Sequence, residues 1–237
     1  MIVRVFAALV LGLSFLPVLA NEAHIRKVIE AKLGGAKVEG VQPGPLGLYE
    51  VRFRSSSGGV RILYTDASAT HIFVGKIYET QNDRDVTEER LRKLNAIKFD
   101  SLPLDQAIKV QRGNGKRVMA MFSDPYCPAC KQFEQTLQQM DDITVYVFPL
   151  PIIRPELADH SKAVWCSPDR AKAWLDLALR GKPPAAKPSC STPVEKNVEL
   201  GRSLGVNATP TLIFADGERV SGGLRLADLT AELDKKR

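Results

Sequence analysis

One short stretch limits what this chain can fold into. Residues 118–122, Val-Met-Ala-Met-Phe, form an apolar, strand-like run. They lead through Ser123-Asp124-Pro125-Tyr126 into Cys127-Pro128-Ala129-Cys130, and an amphipathic run over 131–140 leads out. A Cys-x-x-Cys pair therefore sits where a strand becomes a helix. Pro128 suits the first helical turn, because its missing N–H had no intrahelical partner there. Cys127 then lies at the helix N-terminus, where orphan N–H groups and the positive end of the dipole favour a thiolate. Such placements lower a cysteine pKa from about 8.5 to roughly 3.5–7.5. Cys127 is the candidate nucleophile. Cys130, one turn further in, is expected to be more buried, higher in pKa, and placed to attack a mixed disulfide on Cys127.

Two other readings compete with redox chemistry. A zinc site needs a second close Cys or His pair. Cys166 and Cys190 are instead 24 positions apart, and His24, His71 and His160 form no pair. No metal is expected. A purely structural bridge between neighbouring cysteines is the remaining alternative.

The N-terminus carries an address. Arg4 precedes an apolar core over 5–16, followed by Pro17-Val18-Leu19-Ala20. This reads as a secretory leader over 1–20, cleaved after Ala20; the competing reading is a membrane anchor, for which the run is short. Export places all four cysteines in an oxidising compartment, where two bridges are expected. The net charge of +6 becomes +5 without Arg4. The basic residues are scattered and no basic-and-aromatic patch stands out, so the charge speaks to solubility and not to nucleic-acid binding.

Ile25, Val28, Ile29 and Leu33 recur at helical spacing and stop at Gly34-Gly35. Alternating segments follow at 48–54, 60–64 and 70–78, separated by turns at 55–59 and 66–69. One helix and an antiparallel meander make an N-terminal domain over 21–80. A core that thin is stabilised by dimerisation through a sheet edge or apolar face, or by packing on the second domain. Residues 81–103 read as a linker helix through Leu91, Leu94 and Ile97, capped by Asp85 with Glu88 or by Thr87; the alternative is an ordinary first helix of the second domain.

The second domain, 104–237, reads as a helix at 104–110, a strand at 117–122 and a helix at 128–140. A strand at 143–148, helical segments across 156–180 and 193–204, a hairpin around Asp216-Gly217 and a last helix at 226–233 follow. The whole is an α+β / α/β chain whose second sheet carries helices on both faces. Cys166 and Cys190 are expected to bridge and pin the helical insertion, worth roughly 3 kcal/mol for a loop of this length. Two buried free thiols or a second redox pair are the alternatives. Asn207-Ala208-Thr209-Pro210 precedes a strand, and Pro210 is a candidate cis bond.

Strand, Cys-Pro-Ala-Cys at a helix start, inserted helices and Thr-Pro before a strand together resemble the thioredoxin fold. In detail the chain resembles the periplasmic disulfide isomerases of the DsbC/DsbG type. Matching stretches are 86–91, 122–127, Val164-Trp165-Cys166-Ser167, Pro188-Ser189-Cys190 and 204–210. The resemblance implies a small cystatin-like antiparallel dimerisation domain, a helical linker and a redox domain, assembled as a V-shaped homodimer. It implies Cys127 as nucleophile, Cys130 as resolving thiol, Cys166–Cys190 as structural bridge, and Thr209-Pro210 as a cis-proline loop beside the Pro128-Ala129 dipeptide. It implies no cofactor. The implied partners are misoxidised exported proteins and an inner-membrane thiol reductase of the DsbD type; the implied compartment is the periplasm. Two departures stand out. Pro128-Ala129 replaces the Gly-Tyr familiar in the isomerases, which keeps an oxidase or reductase in play. Met121 stands six residues before Cys127, where thioredoxins carry a buried carboxylate. A holdase that binds unfolded chains is a third reading.

Overall fold

The computed structural model describes residues 16–55 and 59–235. The leader expected over 1–20 lies outside them, apart from the backbone of 16–20, and so does most of the turn expected over 55–59. The chain divides into two compact units, one made of residues up to Ser55 and of Arg61–Thr87, the other of Ser56–Val60 and the chain from Glu88 on. Among the described residues no helix is long and apolar enough to cross a membrane.

In the first unit, α1 (Leu16–Lys32) is followed by β1 (Val38–Pro43), β2 (Tyr49–Arg54), β3 (Val60–Thr65) and β4 (Ile72–Phe73). These strands lie in the order β1-β2-β3-β4. Ile25 and Ile29 of α1, both fully buried, pack with Val38, Val41, Val51 and Leu63 of the sheet. The helix ends at Gly34 and Gly35, whose positive φ angles of 65° and 86° suit glycine. The strand expected over 70–78 is broken into β4 and a short β5 (Tyr78–Glu79), which pairs with β6 (Arg84–Asp85). The break has a local cause. Ile77 turns inward; its N–H donates to Thr87 Oγ1 and its carbonyl accepts from Val86 N. The backbone that would have continued along β3 is thus satisfied elsewhere.

Helix α2 (Val86–Leu94) is much shorter than the linker helix expected over 81–103. Asn95 Nδ2 donates back to Leu91 O at 3.0 Å, and Ile97 N donates to Gly217 O at 2.8 Å. Ile97 therefore leaves the expected helical stripe and is buried against Ala120, Phe122 and Ile213.

The second unit continues with β7 (Ile108–Arg112), β8 (Arg117–Ser123), α3 (Pro128–Leu137) and β9 (Ile143–Pro149). Then come α4 (Ala158–Trp165), α5 (Arg170–Arg180), α6 (Val194–Ser203), β10 (Thr211–Phe214), β11 (Arg219–Ser221) and α7 (Leu226–Lys235). The helix expected over 104–110 is a correction: a single 3₁₀ turn at Leu104–Gln106 gives way to β7, which pairs antiparallel with β9. Ile108 and Val110 face in while Lys109 and Gln111 face out, the period of two of an edge strand.

The sheet order is β11-β10-β8-β9-β7, with β8 and β9 parallel and the other pairs antiparallel. Residues 119–122 of the central strand β8 are fully buried, as a strand covered on both faces requires. Met119 and Met121 pack on one side with Phe133, Leu137, Trp174, Leu177 and Leu229. Ala120 and Phe122 pack on the other with Phe148, Leu150, Val206 and Ile213. The N-terminal antiparallel sheet and the C-terminal mixed sheet with helices on both faces make the chain α+β.

Candidate active site

Because β8 is gripped on both sides, its C-terminal end is a rigid platform. Asp124 follows it, fully buried, and its carboxylate accepts from the backbone N–H groups of Tyr126 (2.8 Å), Ile152 (2.8 Å) and Ile153 (2.7 Å). One side chain thus ties the loop before Cys127 to the loop after β9. Asp124 O accepts from Cys127 N at 3.1 Å, which sets the entry into α3. Tyr126 reaches sideways: its hydroxyl bonds His160 Nδ1, and the Arg154 guanidinium lies 6.0 Å from its ring centroid. Burial is the main cause of its raised pKa.

Cys127 is the N-cap of α3, with extended backbone at φ −81° and ψ 120°, and Pro128 occupies the first turn. The Cys130 N–H donates to Cys127 Sγ at 3.4 Å. In this dithiol form Cys127 Sγ itself donates to Thr209 O at 3.2 Å, across 82 positions of sequence. Strand register explains the meeting. Thr211 of β10 is opposite Phe122 of β8, so the residues before β10 come level with the end of β8. There the Thr209–Pro210 peptide is cis, and Pro210 O accepts from Gly222 N at 2.7 Å.

The two thiols differ in environment. Burial pushes the Cys127 thiol up, but Thr209, the backbone N–H groups of Cys130 and Ala129, and the Cys130 side chain together outweigh it. Its pKa lies below the ordinary thiol value. Cys130 is 1 % exposed, and burial pushes its thiol up to about 12 against the opposing pull of Ser123, the Asp124 backbone and Thr209. The first sulfur therefore gives up its proton more readily than an ordinary thiol, and the second far less readily.

Cys166 and Cys190 form a disulfide with Cα atoms 5.7 Å apart. It closes a segment containing α5 and takes no part in the Cys127 cluster. Among the described residues no three His, Cys, Asp or Glu side chains converge on a point that could hold a metal.

The structure also gathers groups that the sequence reading assigned no role. Asp124 had a local signal, an acidic residue directly after a buried strand and before a turn. Glu134 had none. It lies on the buried face of α3, 2 % exposed, and accepts from Trp174 Nε1 of α5 at 2.6 Å. Burial raises its carboxyl to about 7, against the Trp174 bond and the Arg112 charge.

Residues 17–88 match the family model of the disulfide bond isomerase protein N-terminal domain, and residues 104–237 match that of the thioredoxin-like domain. The probable thiol:disulfide interchange protein DsbC of Bordetella parapertussis is 42% identical over 210 residues, covering 88% of this chain and 73% of its own. Thiol:disulfide interchange protein DsbC of Escherichia coli K12 is 26% identical over 210 residues, covering 86% of this chain and 83% of its own. A crystal structure of a disulfide interchange protein from Neisseria gonorrhoeae superposes with a TM-score of 0.55 at 44% identity, covering 57% of this chain and 98% of that one.

Proposed function

The chain belongs to the DsbC family of thiol:disulfide interchange proteins and is a disulfide isomerase, and on that premise we propose how it works and on what. Cys127 is the nucleophile. Its thiolate attacks one sulfur of a wrong disulfide in an exported protein; the second substrate sulfur leaves as a thiolate, and a mixed disulfide forms. A substrate thiolate then attacks the mixed disulfide, a new substrate bridge forms, and Cys127 leaves again as a thiolate. No net electrons move. When this stalls, Cys130 attacks Cys127 Sγ, the substrate leaves reduced, and the Cys127–Cys130 pair holds the oxidation. Two electrons must then come from a reductant, for which an inner-membrane thiol reductase of the DsbD type is the fitting class. The compartment is the periplasm, reached by the leader over 1–20 with cleavage after Ala20. The observation that carries this reading is the position of Cys127: at a helix N-terminus, beside the cis Thr209–Pro210 loop, with a lowered pKa next to a raised one. Pro128 and Ala129, in the first turn of α3, and Thr209 and Pro210, in the loop before β10, complete the active site, and Cys166–Cys190 braces the insertion.

The working unit is a homodimer built through the N-terminal domain, 21–80, joined by residues 81–103 to the redox domain, 104–237. β4 is an edge of the first sheet, and Ile72, Phe73, Val74 and Tyr78 in and after it are exposed. An unpaired edge with an apolar surface is a template for pairing with a second copy. Refolding of a scrambled multi-disulfide substrate by the reduced full chain tests the reading. Recovery of substrate activity by the parent chain, lost in Cys127→Ser, is expected.

A second reading has an observation in its favour. The Ala129 and Cys130 N–H groups stabilise the Cys127 thiolate, and whatever stabilises the reduced pair makes the oxidised pair a stronger oxidant. If the full chain fails to reactivate the scrambled substrate yet transfers its disulfide to a reduced one, the protein works as an oxidase.

A further inference from the structure

The resolving step has an unmet electrostatic need. Cys130 must become a thiolate to attack, yet it is almost completely buried. The position six residues before Cys127 is Met121, which offers it nothing. Glu134, one turn along α3, is engaged by Trp174 and Arg112.

Beside the Asp124 backbone, two side chains remain, Ser123 and Thr209, and Ser123 is the stronger candidate. It is the last residue of β8 and fully buried. Its backbone oxygen accepts from Leu150 N at 2.8 Å, but its hydroxyl has no hydrogen-bond partner among the described residues. Buried hydroxyls are seldom left so, since an unmet one costs about 1–3 kcal/mol. The hydroxyl lies by Cys130, where it is the strongest of the influences opposing burial. Thr209 Oγ1, also without a partner, bears on both thiols and does not separate the two steps.

Resting on Cys130 as the resolving thiol, we propose that the Ser123 hydroxyl donates a hydrogen bond to the Cys130 sulfur as it becomes an anion, and so sets how fast a stalled substrate is released. The step balances. Cys130 loses its proton and its sulfur bonds to Cys127 Sγ; the bond between Cys127 Sγ and the substrate sulfur breaks. The substrate leaves as a thiolate and takes up a proton, so the substrate is reduced and the cysteine pair oxidised. A slower release leaves the mixed disulfide more time to rearrange, so Ser123 governs the division between isomerisation and reduction.

The test uses the full reduced chain and an aromatic disulfide reagent whose released thiol is coloured. Attack by Cys127 releases the first equivalent, and attack by Cys130 releases the second. Ser123→Ala slows the second phase about tenfold near neutral pH, the lower end of what a hydrogen bond to a charged group is worth. Its pH profile moves to higher pH, and Ser123→Thr restores both rate and profile. The reduced Ser123→Ala protein loses no resistance to denaturant, because the hydroxyl had no partner to lose. An unchanged second phase in Ser123→Ala overturns the proposal. So does a slowed phase with an unmoved profile, or one that Ser123→Thr fails to rescue, since packing alone then accounts for it. Absence of the first phase in the parent protein refutes the Cys127 reading itself, and the proposal falls with it.

Discussion

Glu134 makes stability depend on pH in a direction opposite to most carboxylates. Its carboxyl is buried beneath α3 and accepts from Trp174 Nε1, and burial lifts its pKa from 4.5 to about 7. In the window between those values the folded chain holds a proton that the unfolded chain has released. Stability is then fully present below about 4.5, falls as pH rises, and levels off above about 7. Each pKa unit is worth about 1.4 kcal/mol, so the whole displacement amounts to about 3 kcal/mol. Glu134→Gln keeps an oxygen to accept from Trp174 but cannot ionise. The variant therefore matches the parent at the acid end and exceeds it by about 3 kcal/mol at pH 8. Denaturant midpoints across this range give the answer. Tryptophan fluorescence is the right probe, because both tryptophans, Trp165 and Trp174, belong to the second unit. Asp176 and Glu195 are held below their ordinary values and titrate beneath the window, while Cys130 titrates far above it. A flat parent curve, or an equal slope in Glu134→Gln, would refute the reasoning.

Other outcomes follow from the same geometry. Asp124→Ala strands the N–H groups of Tyr126, Ile152 and Ile153 and should cost about 2–4 kcal/mol, read as a lowered denaturation midpoint together with slower Cys127 alkylation. The rate of Cys127 alkylation should reach half its maximum below the ordinary thiol pKa; a profile centred on the value of a free thiol contradicts the N-cap argument. Replacing Cys166 and Cys190 together by alanine opens a loop of 24 positions and should cost about 3 kcal/mol, while leaving the first phase of the reaction with the disulfide reagent in place. Phe73→Asp places a charge on the exposed edge and should shift the protein from dimer to monomer in sedimentation, with loss of isomerisation.

What can be read from the sequence here is what depends on near neighbours. Apolar spacing marks α1 and β2, and continuous apolar runs mark β8 and β9, because one-sided or two-sided burial imposes these patterns locally. Cys127-Pro128 marks a helix start by capping chemistry that spans four residues. β1 escaped notice because Gly40, Gln42 and Pro43 dilute its alternation and a register shift between Val38 and Gly40 disturbs it further. β7 reads as a helix in the sequence because its alternation runs for only five residues directly after the turn at 104–106. What only the tertiary structure decided are the meetings across the chain. Register between β8 and β10 brings Thr209 to Cys127, packing of α5 on α3 brings Trp174 to Glu134, and Ile97 gives up its helix for a bond to Gly217. Each such contact depends on how whole elements pack, and no local pattern of residues encodes that. Burial, which sets the two thiols and Glu134 apart, exists only after that packing is complete.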